Sequence, residues 1–302
     1  MSQNTIIKDN TGLPKSQAPK SQEEIVYIRA KPGWAALNLK DLWHYRELIY
    51  FLIWRDVKVR YKQTSLGIAW AIIQPVMTMV VFNIFFGKLA QVPTGGIPYP
   101  IFSYTGLLPW GLFTKALSDA GRSIIQNRAM ITKVYFPRLI IQMASVTSGL
   151  VDFGISFLIL FGLMIYYNYA PSSDYHITIT WRWLTLPLFT LLAMVTSLGV
   201  GLWLSALNVI YRDVNYLIPF ITQFWLFVTP VGYSAKMFSE KWQFLISLNP
   251  MTGVVEGFRW ALLSTGTPPS PFLALSATIS VIVLISGLYY FRRMERTFAD
   301  EI

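Results

Sequence analysis

The sequence predicts an all-α, polytopic membrane protein, and three observations support this fold class. Hydrophobic residues make up 54% of the 302 residues and charged residues only 13%, against about 25% charged in ordinary soluble domains. The apolar residues are gathered in long runs, and the basic residues lie in the polar segments between them. We therefore expect a bilayer, rather than water, to cover most of the surface.

Six apolar runs approach the length of about 20 residues that a helix needs to cross the hydrocarbon core. The predicted spans are residues 66–86, 101–117, 139–167, 184–207, 211–233 and 273–291. An even number of spans places both termini on one side of the membrane. With both termini in the cytoplasm, only Lys88, Arg182, Lys236, Lys241 and Arg259 of the 25 Lys and Arg residues lie on the opposite side. Because basic loops resist translocation, this bias predicts cytoplasmic termini. It also accounts for the net charge of +10 without a nucleic-acid partner.

Residues 1–40 are polar and lack the apolar core of a secretory signal, so they predict a cytoplasmic tail before a transmembrane domain of residues 41–302. This domain begins with an amphipathic segment, residues 41–62. At 100° per residue the apolar stripe comprises Leu42, Tyr45, Leu48, Ile49, Leu52 and Ile53, and the opposite face carries Glu47, Arg55, Lys58 and Lys62. Such a basic helix is typical of the membrane interface. Periodicity alone favours a membrane anchor over a helix that docks a partner.

Two connections carry further signals. Residues 118–138 are basic, and either a short helix near residues 123–133 or a solvated loop fits them equally well. Residues 234–270 are too apolar for an exposed loop, and Asn249-Pro250 divides them, because proline disfavours helix in the preceding residue and starts a new helix well. We expect two short re-entrant helices between spans five and six. Glu256 and Arg259, three residues apart, can pair there on one helix face and indicate a pore mouth.

The sequence lacks motifs for catalysis, metal binding and nucleotide binding. The chain has no cysteine, its two histidines, His44 and His176, form no metal-binding pattern, and no P-loop is present. We therefore expect no catalytic activity, metal or cofactor on this chain, and any energy for transport must come from another subunit or an ion gradient. Asp152 costs roughly 2.5 to 3.5 kcal/mol inside a span, so it should face protein or water. Substrate binding and a hydrogen bond to a neighbouring helix both remain open for Asp152, and the lack of paired acidic residues in the predicted spans weakens the gradient alternative.

The segment Trp54 to Pro75, WRDVKVRYKQTSLGIAWAIIQP, resembles the membrane subunits of ABC-2 type polysaccharide and lipopolysaccharide exporters, including capsule and teichoic-acid export permeases. Residues 123–140, 207–225, 229–234 and 248–263 carry further similarity. The resemblance implies a homodimeric channel in the bacterial inner membrane, driven by two copies of a separate ATPase that binds ATP and Mg²⁺. The implied substrate is a glycan, of O-antigen, capsule or teichoic-acid type, on a lipid anchor.

The same resemblance implies roles for particular residues, and it marks Tyr211-Arg212-Asp213 as the cytoplasmic joint between spans four and five. The expected ATPase-coupling residues are Arg55, Asp56, Lys58, Gln126, Asn127 and Arg128, and the expected outer-gate residues are Asn249, Pro250, Glu256 and Arg259. Arg60 and Lys62 are placed for the lipid pyrophosphate. The aromatic candidates for the channel wall are Trp70, Phe82, Trp110, Phe113, Trp225 and Tyr233.

Three other functions compete with glycan export. An ABC-2 exporter of drugs or small lipids shares the span pattern but usually lacks the segment found at Trp54 to Pro75. A membrane acyl- or glycosyltransferase should show clustered acidic residues or histidines at an interface, which this sequence does not. A passive channel would transport without ATP.

Overall fold

The structure, a computed structural model, describes residues 43–62, 67–171, 175–264, 271–295 and 298. All regular structure within these ranges is helical, which confirms the predicted all-α class. The predicted tail, residues 1–40, and Leu42 of the amphipathic stripe lie outside the described residues.

In the part of the chain that the structure describes, we number ten α-helices in chain order. They are α1 Arg46–Lys62, α2 Gly67–Phe82, α3 Tyr99–Gln126, α4 Arg128–Ile131, α5 Leu139–Tyr169, α6 Leu186–Ile210, α7 Val214–Val228, α8 Glu240–Ser247, α9 Pro250–Leu263 and α10 Phe272–Met294. A π-helix, Asn83–Leu89, continues α2, and 3₁₀ turns lie at Trp181–Thr185 and Ala235–Met237.

In the described part of the chain, four helical segments are long and apolar enough to cross a membrane. They are Ala69–Leu89, Leu139–Tyr169, Trp181–Ile210 and Leu273–Met294, and they correspond to predicted spans one, three, four and six. These segments agree with a polytopic membrane protein. The full count of six spans stays a prediction, because it depends on α3 and α7.

Helix α3 occupies the centre of the bundle. Its 28 residues extend about 42 Å at 1.5 Å per residue, and most of its side chains are buried against α5, α6, α9 and α2. Because protein rather than lipid surrounds α3, it tolerates the Tyr, Ser, Thr and Pro residues that lower its hydropathy. Helix α3 continues beyond residue 117, the predicted end of the second span, to Gln126.

Helix α7 is shorter than the predicted span 211–233. It has 15 residues, and the chain turns at Tyr211–Asp213 before it and is extended at Thr229 after it. Thr229 precedes Pro230, and the residue before a proline is disfavoured in helical conformation. The proline therefore ends α7 at Val228.

Small residues allow α6 to approach its neighbours closely. A Cβ at Gly199 would lie 2.7 Å from the backbone nitrogen of Leu284 on α10, and one at Gly201 would lie 2.6 Å from Cβ of Ala120 on α3. These glycines pack helices together, as small residues do in membrane bundles.

Candidate coupling and gate sites

The apolar stripe predicted for α1 packs on the helix bundle, whereas periodicity alone favours a membrane anchor. Leu52 is 1% exposed, and Tyr45, Leu48, Ile49 and Ile53 pack beside it. The predicted polar face carries Glu47, Lys58 and Lys62, which are exposed, and the partly exposed Arg55. Helix α1 is thus packed on protein along one side and open on the other.

The partner of α1 is the first half of α5 together with the connection before it. Leu52 shares one apolar cluster with Phe136, Ile140 and Ile141, and Met130 packs against this cluster. The structure therefore brings α1 next to the connection of residues 118–138, which carries the other three predicted coupling residues. We call this part of the molecule the α1 end.

The six predicted coupling residues differ in how available they are to a partner. Gln126, Arg128 and Lys58 are exposed. Arg55 and Asp56 form an ion pair with each other at 2.8 Å and are partly exposed. Asn127 is buried, and its side-chain Nδ2 donates to the backbone oxygen of Ser123 at 2.8 Å, so it closes the end of α3.

Sequence reasoning missed two exposed apolar residues in this connection. Val134 and Tyr135, just after α4, are 58% and 75% exposed. The signal was present as an apolar pair, Val134-Tyr135, within a basic polar segment.

An ionic network joins α1 to α3 and α5, and we call it the Arg60 network. Arg60 Nη2 lies 2.9 Å from Asp119 Oδ2, and Lys115 Nζ lies 3.2 Å from Asp119 Oδ1. Arg60 Nη1 and the Tyr61 hydroxyl both donate to the carboxylate of Asp152. Two cations and two carboxylates meet here, so the charges balance.

This network confirms that Asp152 faces protein, and it gives that carboxylate two donors on another helix. Burial raises the pKa of Tyr61 to about 12, and the neighbouring Asp152 carboxylate acts in the same direction. Tyr61 therefore remains a protonated donor at neutral pH. Sequence reasoning missed Tyr61, Lys115 and Asp119, which belong to no local motif. The one available signal was the cost of leaving Asp152 unpaired.

A groove lies at the joint between α6 and α7. It encloses about 520 Å³ and is mostly apolar. Its lining is Leu207, Tyr211, Asp213, Val214, Tyr216, Leu217 and Phe220. The predicted joint at Tyr211-Arg212-Asp213 therefore borders a cavity as well as a turn.

At the other end of the bundle, which we call the α9 end, Asn249 ties α9 to the end of α7. Its Oδ1 accepts from the backbone nitrogen of Met251 at 3.0 Å and from Trp225 Nε1 at 2.9 Å. Its Nδ2 donates to Thr229 Oγ1 at 2.8 Å. The predicted helix break at Asn249-Pro250 is present, with Asn249 capping α9.

Arg259 is the central contact of the α9 end. It is 2% exposed, and Nη1 donates to the backbone oxygens of Pro230 at 2.6 Å and Tyr233 at 2.8 Å. Nη2 donates to the oxygen of Val231. Nη1 also reaches Glu256 Oε1 at 3.2 Å, so the predicted pair three residues apart forms. Arg259 thereby fixes the turn of residues 229–234.

The six predicted channel aromatics do not share one surface of this subunit. Trp110 and Phe113 are buried with ring centroids 5.2 Å apart, and Phe113 lies 5.0 Å from Trp225. Phe82 is also buried, and the Tyr233 hydroxyl donates to the oxygen of Phe227. Only Trp70 of the six is largely exposed. A channel role for the buried rings would require them to leave this packing.

Sequence reasoning missed an exposed aromatic face on α7. Tyr216, Phe220, Phe224 and Phe227 are 83%, 68%, 65% and 58% exposed. Their spacing of four, four and three residues places them on one side of a helix. The spacing was readable from the sequence, but which side of α7 packs on the bundle was not.

An all-helical bundle with membrane-length apolar segments and paired polar groups at its ends defines a polytopic membrane protein. Residues 47–263 match the family described as ABC-2 type transporter, and the chain belongs to this family of membrane transport subunits.

The chain is also similar to curated relatives over most of its length. It is 27% identical over 267 residues to the O-antigen export system permease protein RfbA of Myxococcus xanthus, and the aligned region covers 87% of this chain and 98% of the relative. It is 26% identical over 255 residues to a protein of the same name from Klebsiella pneumoniae, covering 84% and 94%. It is 20% identical over 246 residues to the polysialic acid transport protein KpsM of Escherichia coli, covering 81% and 92%. The predicted family resemblance is confirmed.

Proposed function

We propose that this chain is the membrane permease subunit of an ATP-driven exporter that moves lipid-linked polysaccharide across the bacterial inner membrane. The observation that carries the proposal is the near full-length similarity to relatives named for O-antigen export and polysialic acid transport. Membership of the ABC-2 type transporter family supports a transport subunit rather than an enzyme.

The proposed assembly is a homodimer with two copies of a separate ABC ATPase, which would bind ATP and Mg²⁺. Both termini would lie in the cytoplasm, which places the α1 end on the cytoplasmic side. The biased distribution of basic residues supports this orientation.

Coupling to the ATPase would occur at the α1 end. Arg128 and Gln126 are exposed beside the helix that carries Arg55, Asp56 and Lys58. The apolar cluster under Leu52 joins α1 to residues 130–141, so a force on either segment would reach α5. Val134 and Tyr135 add exposed apolar area, which favours contact with a protein partner.

The lipid pyrophosphate would first meet Lys62, which is exposed at the end of α1. Arg60 would contribute only after exchanging Asp119 or Asp152 for the phosphate, because both carboxylates hold it in this structure. The exposed aromatic face of α7 is the better candidate for the channel wall, since flat rings bind the apolar faces of sugars.

The outer gate would be the turn of residues 229–234 together with α8 and α9. Arg259 holds this turn through its backbone oxygens, and Asn249 holds it through Thr229. Movement of α9 would therefore move the end of α7.

Reconstitution tests this function. The chain and its ATPase are placed in vesicles with a lipid-linked polysaccharide on the ATPase side, and protection of the glycan from an added glycosidase is measured. We expect protection that requires ATP hydrolysis. Transport without ATP would indicate a passive channel. ATP-dependent movement of drugs or small lipids, without glycan, would overturn the substrate assignment.

A further inference from the structure

A second polar cluster lies at the α9 end, separate from the contacts of Arg259 and Asn249 with residues 229–234. It is formed by the 3₁₀ turn Trp181–Thr185 and the last turn of α9. The guanidinium carbon of Arg182 lies 5.1 Å from the ring centroid of Trp260, and the ring of Trp181 lies 5.9 Å from the same ring. The sequence predicted only an isolated basic residue here.

The backbone around the cluster is fixed by hydroxyl groups. Thr178 Oγ1 donates to Ser264 Oγ at 2.8 Å, and Thr180 Oγ1 lies 3.1 Å from the same oxygen. Ser264 ends α9 with a positive φ of 52°. These bonds hold the chain before Arg182 against the end of the helix that carries Trp260.

The polar atoms of this cluster that lack a partner are all donors. Arg182 Nε and Nη1, Trp183 Nε1 and Trp260 Nε1 are buried, and none has an acceptor among the described residues. Guanidinium and indole nitrogens cannot accept hydrogen bonds. The missing partner must therefore present acceptor atoms.

Arg182 also differs from the other partly or fully buried arginines described above. Arg60 is held by two carboxylates, and Arg259 by three backbone oxygens and Glu256. Within the described ranges, the side chain of Arg182 has neither a hydrogen bond nor an ion pair, only the ring of Trp260. Water can accept its hydrogen bonds but cannot balance its charge, so an anion is favoured.

The position of the cluster indicates the source of the anion. Arg182 lies in the first turn of the candidate span Trp181–Ile210, and Trp181 and Leu184 around it are 67% and 82% exposed. Tryptophan and arginine at the end of a span lie at the level of the lipid headgroups. Phosphate oxygens match the planar donors of arginine well.

We propose that Arg182 and Trp260 form a binding site for the phosphate group of a membrane lipid. The site holds the connection between α5 and α6 at the headgroup level and links it to α9. The inference needs only that the chain lies in a bilayer, so it stands whether or not the exported substrate is a polysaccharide.

Lipid-dependent thermal stabilisation tests the site. The purified full chain in detergent is titrated with phosphatidylglycerol, with diacylglycerol of the same acyl chains, and with inorganic phosphate, and the melting temperature is followed. We expect phosphatidylglycerol to raise the melting temperature and diacylglycerol to have little effect. Stabilisation by inorganic phosphate as well would support the phosphate site and show that the acyl chains contribute little.

Single substitutions test whether phosphatidylglycerol binds at this site. Arg182→Gln should weaken phosphatidylglycerol binding about tenfold to a hundredfold, because a charged hydrogen-bonding group is lost. Trp260→Phe keeps the ring and removes one N–H, so a smaller loss is expected. Lys241→Gln is the matched control, since Lys241 is an exposed cation on α8. The proposal is overturned if Arg182→Gln and Trp260→Phe respond to phosphatidylglycerol as the parent does, or if diacylglycerol stabilises equally well.

Discussion

Two arginines organise the two ends of this bundle, and they do so with different partners. Arg259 at the α9 end is 2% exposed and bonds mainly to backbone oxygens of one turn. Arg60 at the α1 end is partly exposed and bonds to the carboxylates of Asp119 and Asp152 on two different helices. The backbone oxygens that bind Arg259 belong to one turn and cannot move away separately. The carboxylates that bind Arg60 lie on side chains, so Arg60 can exchange one of them for another anion. The comparison indicates a rigid contact at the α9 end and an adjustable one at the α1 end.

The largest effect is expected at Arg259. Arg259→Ala leaves three buried backbone oxygens without their donor and removes one of the two donors of Glu256, which should destabilise the fold by about 3 to 5 kcal/mol. The melting temperature of the purified protein measures the loss. Arg259→Lys keeps the charge but loses the forked geometry, so an intermediate value is expected. A melting temperature of Arg259→Ala equal to that of the parent would contradict the rigid contact.

Substitution of Glu256 distinguishes an effect on the proposed gate from an effect on the stability of the fold. It is only partly buried, and it accepts from the backbone nitrogen of Ala235 at 3.1 Å as well as from Arg259. Glu256→Ala should therefore loosen the turn with a smaller loss of stability, and the double alanine variant with Arg259 should leak more. Ion conductance across planar bilayers measures the leak. Conductance equal to that of the parent would count against the proposed gate.

The second largest effect is expected in the Arg60 network. Arg60→Gln leaves Asp119 and Asp152 with Lys115 as their one remaining cation among the described residues, so it should cost more than Asp152→Asn. We expect about 1 to 3 kcal/mol for each single variant. The double variant should cost less than the sum, because the two residues contact each other.

The control for this cycle lies on the same helix. Arg55 pairs with its neighbour Asp56 and is partly exposed, so Arg55→Gln should cost about 0 to 1 kcal/mol. Additive losses for Arg60 and Asp152 would show that the network contributes no coupling between α1 and α5.

A smaller effect on stability, but a clear one on transport, is expected at Arg128. This residue is exposed at the start of α4, so Arg128→Glu should change stability by no more than about 0.5 kcal/mol. If the α1 end docks on the ATPase, the charge reversal should lower export several-fold while ATP hydrolysis continues. Arg293→Glu, an exposed basic residue near the end of α10, is the control. Unchanged export would remove Arg128 from the coupling surface.

The parts of this fold that were predictable are those that depend on local sequence. Apolar runs predicted the four membrane-length segments, and the 100° stripe predicted the buried side of α1. Asn249-Pro250 predicted the break before α9, since proline restricts its own and the preceding backbone. The pair of Glu256 and Arg259 followed from helical spacing.

The contacts that escaped prediction depend on which helices become neighbours. Arg60 meets Asp152 across 92 positions of sequence. Helix α3 proved central although it is less hydrophobic than α2, α5, α6 and α10. Phe113 was proposed for a channel wall but is fully buried, because an aromatic ring on a span looks alike in sequence whether it faces a lumen or the core. The unpaired hydrogen-bond donors of Arg182 could likewise not be predicted, because they depend on the tertiary packing around the side chain.

The smallest predicted effect concerns Tyr61 and alkaline pH. Its pKa is raised from 10.0 to about 12 in the folded protein, chiefly by burial and then by Asp152. Because the folded pKa is the higher one, its stabilising contribution is complete below pH 10 and is lost as the pH rises toward 12. The melting temperature of the parent should therefore fall more steeply over this window than that of Tyr61→Phe. Tyr50→Phe, at an exposed tyrosine on the same helix, should follow the parent. Parallel curves for the parent and Tyr61→Phe would mean that the Tyr61 hydroxyl does not hold α1 to Asp152, and the adjustable contact would rest on Arg60 alone.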